Sequence, residues 1–349
     1  MVISNTLHWV GFIEHHMVNA FATTLIAWQR TAGRHHLPWQ QQRTAYSVWV
    51  SEIMLQQTQV TTVIDYYTRF MNRFPTVKHL ANADEEVVFQ LWAGLGYYQR
   101  ARNLHRTSQI VVAQYDSVFP IDPEILITLP GIGKSTAHAI CSLVANLPYA
   151  ILDANAKRVI MRYHNLLDDP NQSAVKKRLW ELAQSMMPHH DCATYTQAIM
   201  DLGAQHCKKN PLCADCPVRP GCQSYQANTM HLIPPRRPRK KKPERSAYFI
   251  WYRYKEQTLF IKRPPTGIWS NLWVPIETDT LASHPGTVTR SLTPKTHTFT
   301  HFILHMHPVI IELPEKISYP GGSWFHTDEM MKLALPAPIK ALITSDDWQ

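Results

Sequence analysis

The sequence predicts a mainly α-helical N-terminal domain followed by an α+β C-terminal domain. Three observations support this. The length of 349 residues exceeds one ordinary domain. Apolar residues recur at helical spacing up to about residue 230, and short runs of aromatic and β-branched residues, typical of strands, follow a Pro-rich basic segment. We expect an N-terminal extension at 1–17, a helical domain at 18–230, a linker at 231–246 and the second domain at 247–349.

Composition excludes several classes of protein. With 45% hydrophobic and 17% charged residues, the chain is neither disordered nor collagen-like. Its apolar runs, such as 139–144, are shorter than the roughly 18 residues that a membrane span needs. Glu14, His15 and His16 lie where a secretory signal would be apolar. We therefore expect a cytoplasmic protein without a membrane partner, associated with the nucleoid if it is bacterial.

The net charge of +9 suggests a polyanionic partner, but its location matters. Lys and Arg against Asp and Glu count 19 to 16 in residues 1–230, 7 to 1 in 231–245, and 9 to 9 in 246–349. Two thirds of the excess therefore lies in the linker, where prolines and repelling cations favour an extended chain. We expect this segment to add a salt-sensitive, sequence-independent attraction to nucleic acid.

The first long helix is predicted at Tyr46–Phe70. This span would place Trp49, Ile53, Val60 and Ile64 on one face. Further helices are predicted at Asn82–Gly94 and Arg100–Gln114.

Within the first of these helices, Glu52, Gln56 and Gln59 have the spacing i, i+4 and i+7, which predicts one polar stripe. A solvated surface is an equally good interpretation of the stripe. The large apolar neighbours instead favour a half-buried Glu52 with a raised pKa, as a general acid requires.

A glycine-rich turn follows at residues 94–98. It carries Tyr97 and Tyr98, and the cations Arg100 and Arg102 come directly after it. Aromatic side chains on such a turn are suited to opening a base stack, while the cations hold phosphates.

The next segment predicts two helices joined by a tight hairpin. Asp122 caps the first helix, Leu129-Pro-Gly-Ile-Gly133 ends it, and Lys134–Val144 forms the second. The amide groups that begin the second helix can bind a phosphate. Taken alone, the motif has a plain helix connector as its less favoured alternative.

Twenty residues beyond the hairpin, Asp153 follows two apolar residues and can cap the next helix. Capping is the usual role of such an aspartate. Here its carboxylate would also face the same groove as the hairpin.

Four of the six cysteines, Cys207, Cys213, Cys216 and Cys222, lie within sixteen positions, which predicts a metal site. From this spacing alone zinc is the commoner occupant and an iron-sulfur cluster the alternative.

In the C-terminal part, strands are predicted at Ser246–Arg253, Thr258–Lys262 and His301–Glu312.

Taken together, these motifs resemble the helix-hairpin-helix DNA glycosylase superfamily and, within it, the adenine DNA glycosylases of the MutY type. The resemblance runs from about residue 18 to the C-terminus. It rests on the order of Ser51–Val60, Gly94–Tyr98, Leu129–Thr136, Ile151–Asp153 and the cysteine cluster.

The resemblance implies the catalytic roles. Glu52 would protonate adenine at N7, and Asp153 would stabilise the developing oxocarbenium charge. Asn155 would assist by hydrogen bonding near the acid and the sugar. Ser135 replaces the lysine that gives related endonuclease III enzymes their strand-cleaving lyase step, so we expect a monofunctional glycosylase.

The resemblance also implies the residues that bind DNA and the extruded base. Gln40 and Gln197 would line the adenine pocket, and Gln57 and Tyr97 would enter the helix. The hairpin glycines that would contact the backbone are Gly131 and Gly133.

The C-terminal part resembles a Nudix domain through Lys262–Trp273, but it lacks the acidic magnesium-binding signature of Nudix hydrolases. Phe299, Thr300 and His301 fall where the family senses 8-oxoguanine opposite adenine. A strand-edge turn is the simpler alternative for these three residues.

The resemblance implies a [4Fe-4S] cluster on the four cysteines. Two departures from the family pattern stand out. The first cysteine interval has five residues instead of six, and Ala154 and Ala156 replace the usual Gly and Val.

The expected partner is duplex DNA containing A:8-oxoguanine or A:G mispairs. We expect a monomer, with replication or mismatch-repair proteins as candidate partners. Two alternatives are an endonuclease III type glycosylase/lyase and a non-catalytic iron-sulfur DNA-binding protein.

Overall fold

A computed structural model describes residues 20–235, 241–281 and 284–348. The expected extension at 1–17 and the centre of the linker, 236–240, lie outside the described residues. The chain forms two compact units. The first unit runs to Met71 and includes 76–78 and 106–238, while the second comprises 72–75, 79–105 and 239–349. The helical segment 79–105 thus packs with the C-terminal sheet.

The first unit is helical, as the sequence predicts. Its core contains fully buried side chains such as Leu25, Trp49, Met54 and Ile140. Its helices are α1 (20–32), α2 (Pro38–Gln41), α3 (Ala45–Leu55), α4 (Val60–Arg73), α8 (Pro123–Thr128), α9 (Lys134–Ala145), α10 (Ala154–Tyr163), α11 (Ser173–Ser185), α12 (Cys192–Gln205) and α13 (Gln223–Gln226), with a 3-10 turn at Arg219–Gly221. Between α4 and α8 lie α5 (Val77–Ala81), α6 (Glu85–Trp92) and α7 (Gln99–Gln114).

The prediction of one helix over Tyr46–Phe70 is wrong. The chain leaves helical geometry at Gln56 (φ −58°, ψ 111°), and Gln57 is left-handed with φ 58°. The Thr58 hydroxyl donates to the Gln56 carbonyl at 3.4 Å, and such local bonds compete with helical ones. The predicted stripe of Glu52, Gln56 and Gln59 therefore does not form.

The second unit contains an eight-stranded mixed sheet with the strand order β3-β2-β1-β7-β5. In addition, β4 pairs with β1, β6 with β7 and β8 with β2. The strands are β1 (Glu244–Tyr254), β2 (Gln257–Lys262), β3 (Trp273–Val274), β4 (Ile276–Thr278), β5 (Thr287–Ser291), β6 (Lys295–Thr298), β7 (Ile303–Glu312) and β8 (Gly322–His326). The three predicted strands are confirmed.

The core of this sheet lies on the parallel pair β1 and β7. Ile250, Tyr252, Val309 and Ile311 are buried together there. The chain ends in α14 (Thr327–Met330), α15 (Ala337–Ile343) and a 3-10 turn at Asp346–Trp348. Among the described residues, no helix is both long and apolar enough to cross a membrane.

Candidate active site

A pocket in the first unit brings together three of the predicted site residues, Gln40, Glu52 and Gln197. They come from α2, α3 and α12, so the site depends on tertiary packing. The empty volume is about 390 Å³, part of which is open to solvent. Its other lining residues include Arg34, Trp39, Arg43, Leu55 and Met200.

Glu52 lies in the second half of α3, where it is half-buried. The pKa of its carboxyl is raised from 4.5 to about 7, chiefly by desolvation and secondly by the negative charge of Asp153. A carboxyl group with this pKa is protonated in a large fraction of molecules near neutral pH. It can therefore deliver a proton to a base in the pocket.

Asp153 is the N-cap of α10, as the sequence predicts. Its side chain accepts hydrogen bonds from the backbone of Ala156 at 2.8 Å and of Asn155 at 3.3 Å. Burial raises the pKa of Asp153, while these two amides and the positive charges of Arg158 and Lys157 oppose the rise. The two carboxyl groups of the site thus have different electrostatic surroundings.

Gln197 is held by a buried carboxylate that sequence reasoning missed. Its Nε2 donates to Oδ1 of Asp201 at 3.0 Å, and Asp201 has an exposure of 0%. Asp201 also accepts two guanidinium bonds from Arg34, at 2.8 and 2.6 Å. The i, i+4 spacing of Gln197 and Asp201 was the available signal, but Arg34 lies 167 residues away.

Gln40 contributes a buried donor to the pocket. Among the described residues, its Nε2 has no hydrogen-bond partner. An unpaired buried amide is costly, and an acceptor atom of a bound base would satisfy it.

Asn155 lies in the first turn of α10, where its Oδ1 accepts a hydrogen bond from Arg158 at 2.9 Å. Arg158 also donates to the carbonyl groups of Gly203, at 2.7 Å, and of Cys207. The start of α10, next to Asp153, is therefore connected to α12 and to the first cysteine of the loop.

The helix hairpin leads directly to the site. Ser135, in the first turn of α9, accepts a hydrogen bond on Oγ from the amide of Leu152 at 3.0 Å. Ser135 thereby positions the residue that precedes Asp153.

Gly131 adopts a left-handed conformation with φ 81°. Gly133 is exposed and has open space where a Cβ would lie. Gly133 caps α9 without a side-chain hydrogen bond, so the amides of the first turn point outward, as a phosphate-binding turn requires.

The four cysteines of the predicted metal site line a single cavity of about 380 Å³. Arg162 supplies positive charge there, since its Nη1 lies 3.4 Å from Sγ of Cys207. Its guanidinium also donates to the carbonyls of Lys208, Lys209 and Ile233. The four cysteines thus share one cavity with a buried guanidinium, but among the described residues no three His, Cys, Asp or Glu side chains are placed to hold a single metal ion. Four sulfur donors on one loop are the ligand type of an iron-sulfur cluster.

A second cavity lies within the second unit, with an empty volume of about 1010 Å³. It brings together Tyr97, Phe299 and Thr300 of the predicted DNA-binding residues. Trp269 and His297 also line it, although sequence reasoning did not select them. Their rings lie 5.4 Å (Trp269) and 4.6 Å (His297) from that of Phe299.

Thr300 and His301 are exposed at the tip of a tight turn, which closes with a hydrogen bond from the Phe299 amide to the Phe302 carbonyl at 2.9 Å. The Phe299 ring stacks on Phe302 with 4.6 Å between centroids. The turn therefore presents the hydroxyl of Thr300 and the ring of His301 next to the packed rings of Phe299 and Phe302.

The turn at residues 94–98 uses its two tyrosines differently. Tyr97 has φ 51° and is 47% exposed. Tyr98 is buried, and its hydroxyl donates to the Leu335 carbonyl at 3.1 Å. Arg100 binds the carbonyls of Leu95 and Gly96, and Arg102 binds Ser270. These cations hold the turn and its neighbours in place, which differs from the predicted phosphate contacts.

Gln57 does not line the pocket that contains Gln40, Glu52 and Gln197. It is exposed on the turn between α3 and α4.

Comparison with known families gives two matches along the chain. Residues 50–185 match the HhH-GPD superfamily of base excision DNA repair proteins, and residues 247–345 match the NUDIX domain.

Relatives in distant organisms carry the same name, one matched over nearly its whole length and one over less than half. The adenine DNA glycosylase of Buchnera aphidicola subsp. Schizaphis graminum is 33% identical over 341 residues, covering 93% of this chain and 98% of that protein. The mouse adenine DNA glycosylase is 42% identical over 219 residues, covering 60% of this chain and 42% of that protein.

Among solved structures, a thermostable thymine-DNA glycosylase matches with a TM-score of 0.55 and 27% identity, covering 61% of this chain and 98% of that one. A non-covalent endonuclease III–DNA complex matches with a TM-score of 0.52 and covers 61% of this chain and 97% of that one. At 18% identity, this second match shows the fold alone.

Proposed function

Because the chain belongs to the adenine DNA glycosylase family of base excision repair enzymes, we propose that it removes adenine mispaired with 8-oxoguanine or guanine in duplex DNA and leaves an abasic site. The observation that carries this proposal is the half-buried Glu52, with a pKa raised to about 7, in a pocket that it shares with Gln40 and Gln197.

The pocket can accept an adenine only after the base has left the helix. A stacked base cannot reach a buried carboxyl group, and extrusion costs a few kcal/mol, least at a mismatch. The Nε2 of Gln40 and the amide of Gln197, fixed by Asp201, supply polar groups for the edge of the base. Glu52 then donates its proton to N7, which turns adenine into a neutral leaving group.

Asp153 stabilises the positive charge that develops on the sugar as the glycosidic bond breaks. Water then adds to C1′ and gives up a proton, which completes the hydrolysis to the abasic site. Burial raises the pKa of Asp153, and two helix amides and the cations at 157 and 158 oppose that rise by favouring the ionised form. One protonated and one ionised carboxyl group therefore divide the reaction between them. Asn155 supports this end of the site from the first turn of α10.

We propose that the enzyme has no efficient lyase step. Ser135 occupies the position after the hairpin where a lysine could attack the sugar, and its Oγ is engaged with the Leu152 amide. A serine there supports Asp153 but supplies no amine for a Schiff base.

The cavity with Tyr97, Phe299 and Thr300 is the proposed site for the base opposite adenine. Exposed Tyr97 can enter the space that the extruded base leaves, and Thr300 offers a hydroxyl that both donates and accepts. His301 stands beside it on the turn.

We propose that Cys207, Cys213, Cys216 and Cys222 hold a [4Fe-4S] cluster that fixes this loop beside α10. The exposed Lys208 and Lys209 can then meet the DNA backbone, together with the amides at Gly131 and Gly133.

Single-turnover base release on a panel of duplexes tests the proposal. Adenine should be released from A:8-oxoguanine and A:G pairs, with strand breaks appearing only after alkali. Strand cleavage of duplexes with oxidised pyrimidines, without alkali, would indicate an endonuclease III type enzyme instead. Tight mispair binding without turnover would indicate a DNA-binding protein.

A further inference from the structure

In the second unit, the carboxylate of Glu86 accepts hydrogen bonds from three separate parts of the C-terminal segment. Its Oε1 accepts from the indole Nε1 of Trp273 at 3.1 Å and from the amide of Ala334 at 3.3 Å. Its Oε2 accepts from Nζ of Lys262 at 2.8 Å. No step of base excision uses Glu86, and sequence reasoning did not select it.

Two further contacts fasten the same helical segment. The Tyr98 hydroxyl donates to the Leu335 carbonyl at 3.1 Å. Nη2 of Arg102 donates to the Ser270 hydroxyl at 3.0 Å. Segment 86–102 is thus joined to the C-terminal residues through its beginning, middle and end.

The cavity with Tyr97 and Phe299 lies among these contacts. Its lining comes from residues 96–99, which we call the Tyr97 wall, from 267–270 and 297–300, which we call the Phe299 wall, and from 337–338. The Tyr97 wall follows directly after α6, whose first turn contains Glu86. The distance between the walls therefore depends on how α6 is held.

We propose that Glu86 is a positioning residue that sets the spacing between the Tyr97 wall and the Phe299 wall, and thereby the preference for 8-oxoguanine over guanine opposite adenine. This inference rests on the proposed function of the cavity. Glu86 acts through the walls and does not touch the DNA.

The three donors predict different results for different substitutions. Glu86→Ala removes every acceptor, so the Trp273 indole and the Ala334 amide lose their partner. Glu86→Gln keeps an amide oxygen for these two donors and loses the ion pair with Lys262. That pair contributes little, because the Lys262 side chain is 42% exposed.

The test compares wild type with Glu86→Ala, Glu86→Gln and the control Gln90→Ala, an exposed residue of the same helix. The first readout is the ratio of single-turnover adenine release rates from A:8-oxoguanine and A:G duplexes. We expect Glu86→Ala to lower this ratio about three- to tenfold while the A:G rate is retained. Glu86→Gln and Gln90→Ala should stay within about twofold of wild type.

An unchanged rate ratio in Glu86→Ala, or an equal loss of rate on both duplexes, would overturn the proposed role in discrimination. Glu86 would then have a structural role only.

Hydrogen–deuterium exchange of residues 96–99 and 267–270 is the second readout and does not depend on activity. We expect faster exchange in both segments of Glu86→Ala. Exchange equal to that of the wild type would show that Glu86 does not hold these two segments in place. If the wild type released adenine from neither duplex, the proposed function would fail and the discrimination role with it. The exchange data would still decide whether Glu86 holds the walls.

Discussion

Glu52→Gln should stabilise the folded protein at alkaline pH while it abolishes base release. In the folded state the pKa of Glu52 is raised from 4.5 to about 7, chiefly by desolvation. Folding therefore favours the protonated form, and the group costs no stability below about pH 4.5. The cost appears as the pH rises and is complete above the folded pKa of about 7.

The size of this cost follows from the pKa difference. Between 4.5 and about 7, at about 1.36 kcal/mol per pKa unit, it amounts to about 3 kcal/mol. The Glu52 residue as a whole is only half-buried, so we discount the value for solvent screening to about 2 kcal/mol. Glutamine is neutral at every pH and has nearly the same shape, so the variant avoids the cost.

Urea denaturation of both proteins at pH 5 and pH 8.5 measures the effect. The gain in the free energy of unfolding should be about 2 kcal/mol at pH 8.5 and much smaller at pH 5. Glu181→Gln is the control, since Glu181 is 63% exposed and 4.0 Å from Lys177. It should change stability by less than about 0.5 kcal/mol at either pH.

The kinetic counterpart is a pH profile of single-turnover base release. The wild-type rate should fall as the pH rises through about 7, because Glu52 loses the proton that it donates. The variant should be slower by about two to four orders of magnitude. An equal stability gain at pH 5 and pH 8.5, together with a wild-type rate that is flat across pH 7, would refute this account of Glu52.

Four further results are expected. Ser135→Ala leaves the Leu152 amide without its acceptor, so unfolding in urea should become easier by about 1 kcal/mol and base release slower; unchanged values would show that the bond positions nothing. Gly203→Ala would place a Cβ 2.6 Å from Cβ of Asn155, so thermal unfolding should show a free energy of unfolding lower by about 1–3 kcal/mol. A variant more stable than the wild type, as the higher helix propensity of alanine alone would give, would contradict this packing. Pure protein should contain about four iron and four sulfide per chain, with a visible absorbance band that Cys216→Ser reduces; stoichiometric zinc without iron would remove the cluster proposal. Thr300→Val keeps the shape but not the hydroxyl, so the preference for 8-oxoguanine over guanine should fall about fivefold with the A:G rate retained; an unchanged preference would exclude a role for the hydroxyl.

The features that the sequence predicted well depend on neighbours along the chain. Asp122 and Asp153 cap helices as expected, because a capping bond joins residues two or three apart. The four cysteines line one cavity because a single loop carries them. The features that were missed depend on distant partners. The role of Asp201 depends on its bond to Arg34, and the role of Glu86 depends on its bonds to Trp273 and Ala334.

Tyr97 and Tyr98 show the same limit at adjacent positions. Both are tyrosines in one glycine-rich turn, and the sequence assigned them one role. The structure gives Tyr97 a left-handed backbone and an exposed ring, and gives Tyr98 a buried bond to Leu335. The ring of Tyr98 is held inside by a carbonyl 237 residues away, and periodicity does not detect such a contact.

The two carboxyl groups of the active site differ for a reason that lies in the helix itself. Glu52 lies inside α3, where backbone amides are already bonded to the preceding turn, so desolvation of its carboxyl is not compensated by backbone donors. Asp153 lies at the start of α10, where unpaired amides are available and two of them bind it. An N-cap position thus opposes, without reversing, the rise in pKa that burial causes, whereas a position inside a helix leaves that rise unopposed by backbone donors. This difference supports the proposed division of roles, in which Glu52 holds the proton and Asp153 is the group that ionises.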